Sequence, residues 1–231
     1  MHEASKTQAV RPADFGDRYL SGRIIDIGAG DDLVCPWAEG FDMADGDANH
    51  VTRFRQAFAY DAVHSSHCLE HMHDPQSALR EWWNLLKPGG KLIVVVPEET
   101  LYEQQHWPSL FNGDHKWTFR LESGSTWSPR SLDVTSLFQT LPGCEVLSVD
   151  LQDKNYDRRL QDDGSRKAPP VTVSRILILL ARLGPAGLAL QKPLFRFLYA
   201  MGYAVDQTLG SAIAQIQVIA KKHHFEAQVQ T

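Results

Sequence analysis

Three side chains that can move protons or bind metal fall close together in the sequence. His67, Glu70 and His71 stand at i, i+3 and i+4. On one helical turn that spacing puts all three on a single face. Histidine titrates near neutral pH, so His67 or His71 can act as a base, with Glu70 as the carboxylate partner. The same three residues can also bind a divalent cation. In the competing structural reading, Glu70 braces a loop and His71 packs beneath it. A second group lies further along, where His106-Trp107-Pro108 and His115-Lys116-Trp117 follow a long apolar run. Aromatic rings beside hydrogen-bonding groups suit a sugar or a small polar ring, and a well-packed loop would look the same.

A third constellation is made of glycines and acids. Asp26-Ile27-Gly28-Ala29-Gly30 ends a β-branched run. Glycines at a strand end let backbone approach a ligand closely, because no Cβ intervenes. Asp42 follows at the expected end of a very short strand, then Asp45-Gly46-Asp47-Ala48. A carboxylate at the Asp42 position can accept both hydroxyls of a ribose.

The elements that must hold these groups alternate between strand and helix. Arg23–Ile27, Gly40–Met43 and Tyr60–Ser66 read as strands, and Lys91–Pro97 is apolar throughout, as a strand covered on both faces should be. Pro75–Leu86 reads as a helix, with Asp74 as N-cap and Pro75 at the first helical position. Lys87-Pro88-Gly89-Gly90 stops it. Pro12–Leu20 and Ser131–Leu141 read as helices, Cys144–Leu151 and Gln215–Ala220 as strands. This pattern predicts an α/β sheet with helices on both faces.

Ser66-His67-Cys68-Leu69-Glu70-His71-Met72-His73-Asp74-Pro75, followed by Leu85-Leu86-Lys87-Pro88-Gly89-Gly90, carries a resemblance to a family. With the glycine loop ahead of them, these segments resemble the class I methyltransferases of the methyltransferase type 11 group, over Arg23 to Pro97. Asp114-His115-Lys116-Trp117-Thr118-Phe119 resembles a subset of these proteins associated with bacterial surface polysaccharides. The resemblance implies a Rossmann-like α/β fold with a seven-stranded, mostly parallel sheet whose last strand is antiparallel. It implies S-adenosyl-L-methionine as cofactor. Gly28, Ala29 and Gly30 would face its methionine part and Asp42 its ribose. Asp47 and Ala48 would lie near the adenine, and Ser66 and His67 near the sulfonium. Asp26, at the head of the loop, belongs with this cofactor-binding set. In some related O-methyltransferases an acid–Glu–His set at the His67, Glu70, His71 spacing binds a divalent cation.

The chain departs from the family pattern twice. Asp32 stands where the third glycine of the loop would be, and the interval from Gly30 to Tyr60 is so short that a helix and part of a strand must be trimmed. A non-catalytic methyltransferase-like module is therefore a competing reading. A nicotinamide-dependent oxidoreductase is disfavoured, because Asp32 would crowd an anionic pyrophosphate.

Bulk properties narrow the partners. The chain has 231 residues with 23 Lys plus Arg and 28 Asp plus Glu, a net charge of −5 that makes it a poor general binder of nucleic acid. Its three cysteines, Cys35, Cys68 and Cys144, lack CxxC spacing, which argues against a disulfide framework or a structural zinc site. No apolar run opens the chain, so a cytoplasmic location is expected, with the inner membrane face as a peripheral alternative. Residues 1–11 read as a loose tail, 12–222 as the methyltransferase domain and 223–231 as a second tail. About 155–212 form a helical insertion, in which Val171–Leu183 and the stretch to Tyr203 fit amphipathic helices broken at Gly184-Pro185. Those helices are expected to form a lid or a homodimer face, or to contact a membrane through 171–203. The expected activity is O-methylation of a sugar, a surface-glycan intermediate or another small molecule.

Overall fold

In the computed structural model, which describes residues 3–121 and 124–223, six strands form one sheet. The chain opens with helices α1 (Glu3–Gln8) and α2 (Phe15–Tyr19), then strands β1 (Ile24–Ile27), β2 (Glu39–Phe41) and β3 (Tyr60–Ser66). Helix α3 (Pro75–Leu85) leads into β4 (Leu86–Pro97) and the short α4 (Glu99–Tyr102). A small parallel pair, β5 (Thr118–Arg120) and β6 (Ser131–Asp133), precedes α5 (Val134–Gln139). Then come β7 (Cys144–Gln152), helices α6 (Val171–Arg182) and α7 (Gly184–Ala200), and β8 (Gln215–Lys222).

The sheet order is β2-β1-β3-β4-β8-β7. The β1/β2, β1/β3 and β3/β4 pairs are parallel, and β8 runs antiparallel to both β4 and β7. The last strand is thus the antiparallel one, as expected, but the main sheet has six strands and not seven. The missing strand falls in the short interval before Tyr60, where a 3-10 turn (Ala48–Arg53) stands after β2. No helix follows β1 either, and the chain crosses from Ile27 to Glu39 in turns.

Helix α3 shows why local sequence suffices at this point. The Asp74 carboxylate accepts from the Gln76 and Ser77 amides, Pro75 begins the helix, and Ala78, Leu79, Trp82 and Trp83 are buried on one face. Both indoles are satisfied, Trp82 donating to the Ala48 carbonyl and Trp83 to that of Pro142. This face of the sheet holds the larger core. A smaller apolar cluster, including Phe15, Leu20, Ile24, Ile93 and Ile219, lies on the other face under α2.

The N-terminal segment is not the loose tail expected. Helix α1 lies over the turn that replaces the missing helix. Ser5 donates to the Asp32 carboxylate through its amide and its hydroxyl, and Gln8 Nε2 donates to the Val34 carbonyl. Beyond it, Arg11 is buried and donates from Nε to Gln217 Oε1 at 2.7 Å. Its Nη2 lies 3.1 Å from His64 Nε2, while His64 Nδ1 lies 2.6 Å from Asp26 Oδ1. Arginine only donates, so His64 accepts at Nε2 and carries its proton on Nδ1. Burial lowers the His64 pKa and outweighs the pull of Asp26, which keeps the ring neutral. Burial likewise lowers Arg11, to about 10.

The insertion is a helical hairpin with its own small core, including Leu160, Leu177, Phe195, Leu198 and Val205. Among the described residues, no helix is long and apolar enough to cross a membrane. The expected helix Ser131–Leu141 is shorter than its sequence suggests: Ser131–Asp133 pair as β6, and Asp133 caps the helix that follows. Of the expected C-terminal tail, 224–231 lie outside the described residues.

Candidate functional site

The carboxyl ends of β1, β2 and β3 open on one cleft, where ligands of open α/β sheets bind. It has a volume of about 330 Å³ and is lined by Asp26, Gly28, Ala29, Gly30, Asp42 and Ser66, with Ala4 of α1 and His67 at its margins. Six of the eight residues expected to hold the cofactor therefore share one cavity. Asp26 forms its floor, held by His64 and by the Val34 amide at 2.6 Å.

The glycine loop has the backbone that glycine permits. Gly28 and Gly30 have φ of 76° and 53°. A Cβ on Gly28 would stand 2.6 Å from the Cβ and Sγ of Cys68, whereas one on Gly30 would meet only the Asp42 carboxylate at 3.7 Å. Asp42 accepts from the Gly30 amide at 2.8 Å and from the Met43 amide at 2.6 Å. Each carboxylate oxygen retains acceptor capacity toward the cleft. The cradle therefore fits a ligand with a vicinal diol: backbone without side chains on one wall, an acid on the next, and a buried Ser66 Oγ that has no hydrogen-bond partner among the described residues.

Asp47 and Ala48 stand outside the cleft lining. Asp47 caps the 3-10 turn by accepting from the Asn49 amide and side chain, and the Ala48 carbonyl accepts from Trp82. Asp32 lines the cleft but is committed to Ser5 of α1, a contact across 27 residues that leaves no local sequence signal.

A second cavity of about 290 Å³ meets the first at His67. Its walls include Glu70, His71, Tyr102, Phe111 and His115. His67 has a φ of 53°, a left-handed conformation uncommon for a residue with a side chain and concentrated at functional sites. It therefore does not share a helical turn with Glu70 and His71, as the spacing suggests, because only Leu69–His71 form a 3-10 turn. The three converge nonetheless. Glu70 Oε1 lies 3.5 Å from His67 Nδ1, 3.9 Å from His71 Nε2 and 4.0 Å from His115 Nε2.

His115 is brought in by its loop. The Lys116 amide donates to the Glu70 carbonyl and Lys116 Nζ to the His71 carbonyl. Helix α4 supplies Glu103 at its end, and Glu103 Oε1 lies 2.6 Å from His115 Nδ1. Glu103 has no counterpart among the residues singled out by sequence, since nothing near it in the chain marks it. Glu70 is fully buried. Burial works to raise its carboxyl, but the positive charge available from His67, and then from His115 and His71, overcomes this and holds it below the usual range.

Of the expected acceptor residues, only His115 lines this cavity. His106 pairs with Asp162 of the insertion at 2.6 Å. Trp117 donates to the His73 carbonyl and packs against the main core beneath Arg130. Trp107, half-buried beside His106, is likewise not part of the cavity lining.

A family model described as a methyltransferase domain matches residues 5–139, more than half of the chain. No curated protein matches by sequence. Among solved structures, a SAM-dependent methyltransferase from Thermotoga maritima has 14% identity and a TM-score of 0.49, covering 96% of this chain and 88% of its own. A SAM-dependent methyltransferase from Archaeoglobus fulgidus has 15% identity and a TM-score of 0.49, covering 96% and 95%.

Proposed function

The chain belongs to the methyltransferase-domain family and is a class I S-adenosylmethionine-dependent methyltransferase, and from that premise we propose that it methylates an oxygen of a sugar, a glycan intermediate or a similar small polar molecule. The observation that carries this reading is the meeting of the two cavities at His67, a histidine backed by a buried glutamate.

The cofactor, when bound, supplies an electrophilic methyl group on a sulfonium. The protein has to hold the acceptor in line and dry, and for a hydroxyl it also has to take up a proton. Gln215 fixes the state of His67. The Gln215 amide nitrogen donates to Thr7 Oγ1 and Gln152 Oε1, so its oxygen faces His67 Nε2 at 2.9 Å and receives that proton. Nδ1 of the neutral ring is then the basic nitrogen, and Glu70 3.5 Å away stabilises the imidazolium that forms on proton uptake. Tyr102 and Phe111, with ring centroids 6.1 Å apart, offer aromatic surface to a sugar face.

In this reading Asp42 holds the cofactor's ribose. Asp42→Ala should weaken S-adenosylhomocysteine binding by about 1.5–3 kcal/mol, or roughly 10- to 150-fold, measured by calorimetry. Asp42→Asn should retain part of the binding, since its carbonyl still accepts. An unchanged dissociation constant for Asp42→Ala would move the ribose acid elsewhere.

Acceptor class is tested by incubating the enzyme with methyl-labelled S-adenosylmethionine and a panel of sugars, sugar nucleotides and small alcohols and amines. Label recovered as an O-methyl ether on a sugar supports the reading. Label found only on amines would overturn it.

A further inference from the structure

We propose that Glu70, His71 and His115 form a binding site for a divalent first-row transition-metal ion. The argument rests on where each ring proton must be. His115 Nδ1 lies 2.6 Å from Glu103 Oε1 and donates to it. His71 Nδ1 lies 3.0 Å from Asp114 Oδ2 and 3.2 Å from the Asp114 carbonyl, and donates there. Each neutral ring then turns a bare Nε2 lone pair inward. Both lone pairs face Glu70, whose two carboxylate oxygens are buried and, among the described residues, accept no hydrogen bond shorter than the 3.5 Å approach of His67 Nδ1. A fully buried carboxylate needs positive charge beside it, which a second proton on one of these rings or a cation among them supplies.

The spacing suits a metal better than hydrogen bonds. Glu70 Oε1 lies 3.9 and 4.0 Å from the two Nε2 atoms, too far for either bond. Ligands bind such ions at about 2.0–2.2 Å, so two neighbouring ligands of one tetrahedral ion stand about 3.3–3.6 Å apart. One donor atom from each residue lies within 4.8 Å of the others, so side-chain movement of about an ångström brings the set together around one ion. The orientation of each imidazole by a carboxylate is the usual support of metal-binding histidines. Two imidazoles and one carboxylate suit zinc, manganese, iron or cobalt, and three protein ligands leave a position for a hydroxyl. The set differs from the one read from spacing: His115 enters and His67 leaves, because the left-handed backbone at His67 carries its ring to the junction of the cavities.

The metal's use in methyl transfer rests on the proposed function, but its binding does not. Untagged protein is stripped with chelator and titrated with Co²⁺, Zn²⁺ or Mn²⁺ at neutral pH, with metal content and visible cobalt absorption as readouts. S-adenosylhomocysteine binding is measured on the same samples. One equivalent of metal is expected, lost in Glu70→Gln and His71→Gln, and weakened about 10- to 100-fold in Glu103→Gln. Retained S-adenosylhomocysteine binding shows that these variants are folded and that the cofactor reading stands apart. No metal with any of the three ions, or equal binding in parent and folded variants, would overturn the site.

A second inference comes from the hairpin. From Gly164 to Val205 there is no acidic residue, but there are six basic ones: Arg166, Lys167, Arg175, Arg182, Lys192 and Arg196. The chain as a whole has a net charge of −5. Along α6, Ile176, Leu179 and Leu183 are 51%, 59% and 62% exposed beside Arg175 and Arg182. On α7, Leu190 and Phe197 are exposed beside Lys192 and Arg196. We infer that this face seats the protein on an anionic bilayer. Its charge is complementary to lipid phosphates, and its leucines suit the acyl boundary. An apolar cavity of about 770 Å³ beneath the hairpin shares Leu209 and Ile213 with the histidine-lined cavity, which offers a lipid-borne acceptor a path inward.

Flotation with phosphatidylglycerol-containing vesicles tests this, with phosphatidylcholine vesicles as the control. The protein should float with the anionic vesicles at low salt and be released by high salt. It should fail to float as Arg175→Glu/Arg182→Glu or as Leu183→Ser/Phe197→Ser. A protein that stays at the bottom with anionic vesicles, or a dimer in sedimentation that these same substitutions dissociate, would overturn it.

Discussion

A His67→Gln enzyme should bind S-adenosylhomocysteine within a few-fold of the parent and lose about 10²- to 10⁴-fold in kcat, the range expected for removal of a general base. His67 lines both cavities, so its loss removes proton uptake at the point where cofactor and acceptor meet. Glutamine can still reach Gln215 but has no basic nitrogen. Single-turnover rates against pH separate a base from a structural role: the parent should show a rising limb that the variant lacks. A variant with parental kcat and pH profile would place the base elsewhere, and a collapse of cofactor affinity would make His67 part of the cofactor site instead.

Gly28→Ala should abolish measurable S-adenosylhomocysteine binding in a protein that still folds. Two effects add. A left-handed φ of 76° costs an L-residue about 1–2 kcal/mol, and the new Cβ would overlap Cys68 at 2.6 Å. The Gly28 amide is tied to the Phe41 carbonyl at 2.8 Å, so the overlap is relieved only by shifting the loop that faces Asp42. Because the clash includes the Cβ of Cys68, adding Cys68→Ala should not restore binding, whereas Cys68→Gly should restore part of it. Gly30→Ala, whose Cβ meets only Asp42 at 3.7 Å, should cost less. Equal affinity in Gly28→Ala and the parent would remove the loop from the site.

The parts of this molecule that its sequence foretells are those built from short-range physics. The Asp74-Pro75 cap, the apolar run ending at Pro97 and the strand Tyr60–Ser66 stand where local pattern puts them. So does the Gly30–Asp42 pairing, because glycine geometry and a strand-end acid are both local features. The last strand of the sheet is legible and the absent seventh only in part, since the short Gly30–Tyr60 interval calls for a trimmed helix and part of a strand but leaves open whether the remainder still pairs with the sheet.

Long-range contacts account for the rest. Nothing near Ser5 or Thr7 tells of Asp32 or Gln215, so α1 reads as a tail until the fold carries it over the cleft. The His115 partnership with Glu70 depends on a loop pinned by Lys116, and Glu103 depends on where α4 ends. His106 and Trp117 lie close to His115 in sequence, yet one is taken by Asp162 and the other by the core. Nearness along a loop carries little information about which wall a side chain joins.

Central to this account is a cleft of Gly28, Gly30 and Asp42 that holds the S-adenosyl cofactor. Calorimetry with S-adenosylhomocysteine and with NAD on the purified protein tests it most directly. The account predicts saturable one-to-one binding of S-adenosylhomocysteine and none of NAD. Binding of NAD, or of neither ligand, would contradict it.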